Sequence, residues 1–256
     1  DANRYAPHMK QFLVVLGFFV TFSVAVPAQS PEPPIANPRL TVDTLVREDI
    51  FAGLLRNDLV RLARAEKNLE LLLASRPVDR PALLAWQGSA ALTRAALANE
   101  ANQPEQFRQH YGRALDLFAE AMSLGPDSVA VFAITGGSQT SLADRLPAAE
   151  RAAGWEQAYH AYQQLWRLQG PAIEQLPVHH KGEVLSGLTQ SAQRTGRDEE
   201  VAAQLDRILA LLPDTPYANR ARQWKDDPSV RTETKLTCQT CHAPGTLAAR
   251  LEEVSQ

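Results

Sequence analysis

Residues 111–128 read YGRALDLFAEAMSLGPDS. Ala114, Phe118 and Ala121 stand at i, i+4 and i+7, the spacing that puts three side chains on one face of a helix. Arg113, Asp116 and Glu120 fall on the other sides. Gly125 and Pro126 close the run, and proline cannot supply the amide that a further helical turn needs. The stretch predicts an amphipathic helix that buries a small residue, a ring and a small residue, then ends before Pro126.

The same spacing recurs along the chain. Ala65, Leu69 and Leu72 precede Pro77; Ala158, Tyr162 and Leu165 precede Pro171, which comes one residue late; Val201, Leu205 and Ile208 precede Pro213. Another helical stretch lies ahead of each, and two of those stretches carry a glycine, Gly88 and Gly187, where helices can approach closely. No alternating strand pattern interrupts the series, so the chain reads as all-α. Matched positions step by 49, 44 and 43 residues.

Each segment resembles the second helix of a tetratricopeptide repeat, residues 114–126 most closely. The resemblance implies an all-α solenoid of helical hairpins, about four pairs, over residues 43–226. Stacked pairs share a continuous core and leave a concave surface that holds protein partners. The family period is about 34 residues, so the first helix of each pair must be longer or carry an insertion. ANEANQPE at 98–105 reads as such an insertion, and YANRARQWKD at 217–226 as a polar-faced closing helix. Trp86 and Gln87 lie where they could face the groove, although a tryptophan at helical spacing reads first as core. Gly136 and Gly137 read as a close-packing point or a helix break rather than a phosphate cradle.

Ahead of the helical body, Phe12 to Val26 is an uncharged run, FLVVLGFFVTFSVAV, with Lys10 before it and Val26-Pro27-Ala28 after it. A positive start, a short apolar core and small residues at a cleavage site make a signal peptide over about 9–28. The run is shorter than the ~20 residues of a membrane-spanning helix, which makes a retained anchor the second reading. Met9 reads as the start, with residues 1–8 upstream of it. Residues 29–42 hold Pro31, Pro33, Pro34 and Pro38 and read as an extended linker. The chain of 256 residues carries a net charge of −3 and no basic patch, which argues against nucleic acid as a partner. Neither a nucleophile with its base nor a phosphate loop stands out, so nothing points to an enzyme.

The expected tail, 227–256, contains KLTCQTCH at 235–242, and its two cysteines are the whole cysteine content of the chain. Cys-x-x-Cys-His resembles the haem-attachment site of c-type cytochromes. The likeness is confined to those five residues, and it implies one covalent haem c. Cys238 and Cys241 would form thioethers to the porphyrin, and His242 would be the proximal ligand of the iron. In an exported protein the same pair also fits a local disulfide. A zinc site would need four ligands and a second pair of donors.

The fourteen residues after His242 hold no Met and no His. The haem is therefore expected to lean on the helical body, on a partner or on another copy. Candidate sixth ligands are His110, His160, His179, His180 and Met122, with the adjacent His179 and His180 at a helix start as the distal pair of interest. The tail is expected to be flexible and able to extend ~50 Å from Asp227. The functional expectation is an exported, periplasmic electron carrier, not an enzyme, that docks a protein redox partner or belongs to a larger complex. The competing expectation is a haem-free scaffold that binds proteins, with the cysteines as a disulfide. A haem-based sensor or haem-delivery factor is a third.

Overall fold

The computed structural model describes residues 46–236. The expected leader at 9–28, the proline-rich stretch at 29–42 and the Cys238–His242 motif lie outside the described residues. Among the described residues nine α-helices follow one another: α1 Glu48–Arg56, α2 Leu59–Ser75, α3 Arg80–Glu100, α4 Pro104–Leu124, α5 Val129–Leu142, α6 Ala148–Gln169, α7 Val178–Arg194, α8 Asp198–Leu211 and α9 Pro216–Asp226. Short 3-10 turns join some of them, and no strand occurs among the described residues.

The repeated spacing marks α2, α4, α6 and α8. All twelve of its residues are buried, from Ala65, Leu69 and Leu72 on α2 to Val201, Leu205 and Ile208 on α8. Each of these helices ends two residues before its proline, at Ser75, Leu124, Gln169 and Leu211. The residue before a proline is driven out of the α region, which fixes the stop at Arg76, Gly125 and Leu212, while Gly170 stays helical and α6 tightens into a 3-10 turn over Gly170–Gln175.

Each such helix packs on the one before it: α1 with α2, α3 with α4, α5 with α6, α7 with α8. Three of the four hairpin turns use a residue with positive φ: Asn57 (54°), Asn102 (54°) and Gly196 (73°). Asparagine and glycine are the residues that enter this region at least cost. Asp58 and Ser128 cap α2 and α5 by accepting from the amides of Arg61 (3.1 Å) and Val131 (3.4 Å). The long period comes from helix, not from an inserted loop. At 98–105, α3 runs on to Glu100 and α4 starts at Pro104, each 21 residues long.

The first helices of the pairs also pack in series, α1 on α3, α3 on α5 and α5 on α7. Glycines permit this at defined points. A methyl group on Gly88 would meet the Phe118 ring at 2.8 Å, and one on Gly136 would meet the Tyr162 ring at 2.8 Å. Methyl groups on Gly187 and Gly182 would collide with the rings of Tyr162 and Tyr217. Gly136 is thus a close-packing point inside an unbroken α5, whereas an added methyl on Gly137 would have ordinary room.

Arg145, between α5 and α6, ties three pairs together. It donates to Glu100 at 2.6 and 2.9 Å, to the Leu54 carbonyl at 2.9 Å and to Asn57 Oδ1 at 3.3 Å. Asp49 on α1 is buried between Arg61 (2.6 Å) and Arg64 (2.6 and 2.7 Å) of α2.

The closing helix α9 buries Tyr217, Ala218, Ala221 and Trp224 on one side, half-buries Arg220 and exposes the rest. Departure from the body was expected at Asp227, but the chain stays on it as far as Leu236. Trp224 Nε1 donates to Thr234 Oγ1 at 2.7 Å, and Arg231 Nε donates to the Trp224 carbonyl at 2.7 Å. Arg194 at the end of α7 donates to the carbonyls of Arg231 (2.6 Å) and Thr232 (2.9 Å). Leu236 is wholly buried in the core that α6, α7 and α8 share, and its amide donates to Gln190 Oε1 at 2.8 Å.

Candidate functional site

A pocket of about 550 Å³ opens between the first helices of the pairs. That is within the range of small-molecule and cofactor sites. Its wall takes Arg47, Glu48 and Phe51 from the start of α1, and Trp86 and Ser89 from α3. Gly137, Ser138 and Ser141 come from α5, Tyr162 and Leu165 from α6, Tyr217 from α9, and His179, His180, Glu183 and Ser186 from α7.

The glycine contacts explain how rings reach this wall. Tyr162 belongs to a second helix, yet it passes between α5 and α7 because Gly136 and Gly187 present no side chain to it. Gly182 does the same for Tyr217. Trp86 is buried in the core, as expected of a tryptophan at helical spacing, and it also lines the pocket. Phe51 meets it edge to face at 6.2 Å. Gln87 is half-buried and not part of the wall.

Two carboxylates face this aromatic lining. Glu48 Oε1 accepts from Arg47 Nε at 3.2 Å, while Glu48 Oε2 is buried with no hydrogen-bond partner among the described residues. Glu183 lines the pocket and is half-buried. Burial pushes its carboxyl up to about 7, against a smaller opposing pull from the Arg47 guanidinium. A methyl group placed on Gly137 would sit 3.9 Å from Glu183 Oε1 and 3.9 Å from the Tyr162 hydroxyl, so the missing side chain leaves an open corner beside both.

His179 and His180 are exposed in the first turn of α7, with ring centroids 5.9 Å apart. Both line the pocket. The other ligand candidates do not. His110 is half-buried on α4, where burial and then the Arg94 charge hold its imidazole below the usual range. His160 is exposed on α6 beside the Tyr159 ring. Met122 is packed against three core clusters. Among the described residues no three His, Cys, Asp or Glu side chains gather to hold a metal ion, and no helix is long and apolar enough to cross a membrane.

The tail reaches the same region. Lys235 Nζ lies 3.4 Å from the carbonyl of Ser141, a pocket residue, and 3.6 Å from Asp144 Oδ2. Asp144 also accepts from Trp155 Nε1 at 3.0 Å and lies 3.9 Å from Arg194. Cys238, Cys241 and His242 lie beyond the described residues. Reading the sequence alone missed Glu183, which had no motif around it, and Gln190, whose role depends on a segment 46 residues away.

Compared with protein-family models, with curated proteins and with solved structures, the chain finds no match.

Proposed function

We propose that this is an exported, periplasmic helical-repeat protein of the tetratricopeptide type that carries one covalent haem c and acts as an electron carrier to or from a docked protein partner. The observation that carries the reading is Cys238-x-x-Cys241-His242, downstream of an apolar run at 12–26 that reads as an export leader. The repeat assignment draws support from the twelve buried positions and the four proline stops. The first helices packed in series are what such a repeat uses for its inner surface.

The donor set fits the cofactor. Two thiols at this spacing serve one porphyrin edge, and the adjacent imidazole supplies a proximal ligand. Bound there, the haem provides a one-electron couple whose potential depends on its axial ligands and surroundings. The chain's own residues determine where that couple sits. Gln190, Arg194 and the Leu236 side chain hold the tail, and Cys238 follows two residues after Leu236, within about 7 Å of chain.

A haem-stained denaturing gel tests this. The protein is exported in a host with c-type maturation machinery, beside a Cys238→Ala, Cys241→Ala variant. A stained wild-type band and a blank variant are expected, because thioethers survive denaturation. A blank wild-type band, with a control cytochrome matured in the same host, rejects the haem. The second reading, a haem-free scaffold with a Cys238–Cys241 disulfide, then stands on the pocket itself, where the unpartnered Glu48 Oε2 and the rings of Phe51 and Trp86 form a wall for a partner's side chain.

A further inference from the structure

Rings and carboxylates line the pocket together, and neither kind of group satisfies the other. Phe51, Trp86 and Tyr162 supply ring surface, and Glu48 and Glu183 supply acid. Glu48 Oε1 accepts from Arg47 at 3.2 Å, but Glu48 Oε2 is buried with no hydrogen-bond partner among the described residues. Burial acts first on the Glu183 carboxyl and the Arg47 charge second, and no hydrogen bond from a described residue holds it. A carboxylate kept from bulk water without a partner is costly until a cation or a donor reaches it. Ring faces attract the same kind of charge. Gly137 leaves the space for it: a methyl group there would sit 3.9 Å from Glu183 Oε1 and 3.9 Å from the Tyr162 hydroxyl. A donor displaced a little from that point reaches both oxygens.

We propose that this pocket binds an organic ammonium cation with an apolar or aromatic body, its nitrogen in the corner between Glu183 and the Tyr162 hydroxyl and its body against Phe51 and Trp86. The wall selects that class. An anion would meet two carboxylates and one permanent cation, Arg47, which Glu48 Oε1 already engages. A neutral apolar ligand would leave both acids unanswered. A volume of about 550 Å³ takes a small molecule or one long side chain. The same ammonium group can belong to a free amine or to a lysine of a partner protein. The inference uses the pocket alone and holds with or without a haem on the tail.

Binding of this kind is coupled to protons. Burial keeps a proton on Glu183 up to about 7, so a cation that pairs with it must displace that proton at lower pH. The other charged and titratable groups on the wall are Arg47 and Glu48 at the start of α1, His179 and His180 on α7 itself, Tyr162 of α6 and Tyr217 of α9; α3 and α5 bring none. The test is calorimetric titration of the full-length protein with phenethylamine, a cation throughout this range. Phenethyl alcohol and hydrocinnamate serve as its neutral and anionic counterparts, and acetyl-lysine amide as the side-chain form. Phenethylamine is expected to bind at least about tenfold tighter at about pH 8 than at about pH 5.5, and its two counterparts not to bind. Glu48→Gln and Glu183→Gln are each expected to weaken binding at about pH 8 by at least about tenfold, and Glu183→Gln to flatten the pH dependence. Arg47→Gln is expected to strengthen it. Gly137→Leu fills the corner, keeps both acids and is expected to abolish binding. Circular dichroism of every variant separates loss of the site from loss of fold.

Binding by either ammonium probe with these variant effects supports the proposal, and the tighter of the two names the source, a free amine or a partner's lysine. No binding of either at millimolar concentration overturns it. So does equal binding of phenethyl alcohol, or unchanged binding by a folded Glu183→Gln protein. Tighter binding of hydrocinnamate, weakened by Arg47→Gln, makes the pocket an anion site and overturns it as well. Loss of binding in the Cys238→Ala, Cys241→Ala variant assigns the ligand to the tail and overturns it too, whatever the haem-stained gel shows.

Discussion

At the scale of the residue, Glu183 and the glycines set the terms of the pocket. A carboxyl ordinarily titrates near 4.3, and this one is pushed up to about 7 by burial, so the folded protein holds a proton there that the unfolded chain has released. Stability is then full below about pH 4 and falls as pH rises towards about 7, because the folded state binds more protons across that window. Glu183→Gln is expected to raise unfolding stability at about pH 8 by about 1–3 kcal/mol, discounted for water entering at the pocket mouth, and to change little near pH 4. Urea denaturation at the two pH values checks this, and equal gains at both would contradict it. The glycines divide in the same physical way. Gly187→Ala drives a methyl into the Tyr162 ring and is expected to lose about 1–3 kcal/mol or more. Gly112 on α4 has nothing within 4 Å of an added methyl, so Gly112→Ala is expected to gain about 0.5–1 kcal/mol. Thermal melts of the two variants should move in opposite directions.

At the scale of the element, the segment 228–236 has only one 3-10 turn and is held to the body by side-chain bonds. Arg194 is the centre of that hold, with two bonds to tail carbonyls and its guanidinium 5.4 Å from the Trp155 ring. Arg194→Ala should leave those carbonyls without their charged donor, a loss of about 1–3 kcal/mol that falls mainly on the tail. Limited trypsin digestion reads it, since Arg231 and Lys235 are cleavage sites within the held segment. Cutting at both should accelerate while cutting within α3 to α6 stays slow. Unchanged cutting would mean that Leu236 and Gln190 suffice.

At the scale of the whole molecule, the described helices form a series in which pairs are coupled to their neighbours. Hydrogen exchange should follow that series, slowest in α3 to α7 and faster in α1, which has nine residues and packs on α2 and α3. Asp49→Asn removes the charge that Arg61 and Arg64 share, and is expected to speed exchange in α1 and α2 with little effect beyond α5. The same gradient explains what could be read from sequence. The second helix of each pair buries one narrow face, so Ala114, Phe118 and Ala121 stand out against polar neighbours, and the proline marks the end locally. The first helices are pressed on several sides. Thirteen of the twenty-one residues of α3 are buried, and α7 buries Ser186, Thr189, Gln190 and Ser191. Hydroxyls there bond back to the preceding turn, as Thr189 does to the Leu185 carbonyl at 2.6 Å, so buried polar residues look like surface in the sequence. The pocket lies between those blurred helices. Its histidine pair was legible as two adjacent imidazoles, whereas Glu183 and Gln190 gain their meaning from helices and a tail far away in the chain.

The anchoring of Leu236 also imposes an order of events on folding. Its amide finds Gln190 only once α7 has formed, and its side chain finds its place only once α6, α7 and α8 have packed, so a contact between residues 46 apart closes after the helices around it. Shortening Leu236 to alanine is therefore expected to speed unfolding while leaving the refolding rate almost unchanged, which stopped-flow kinetics would read.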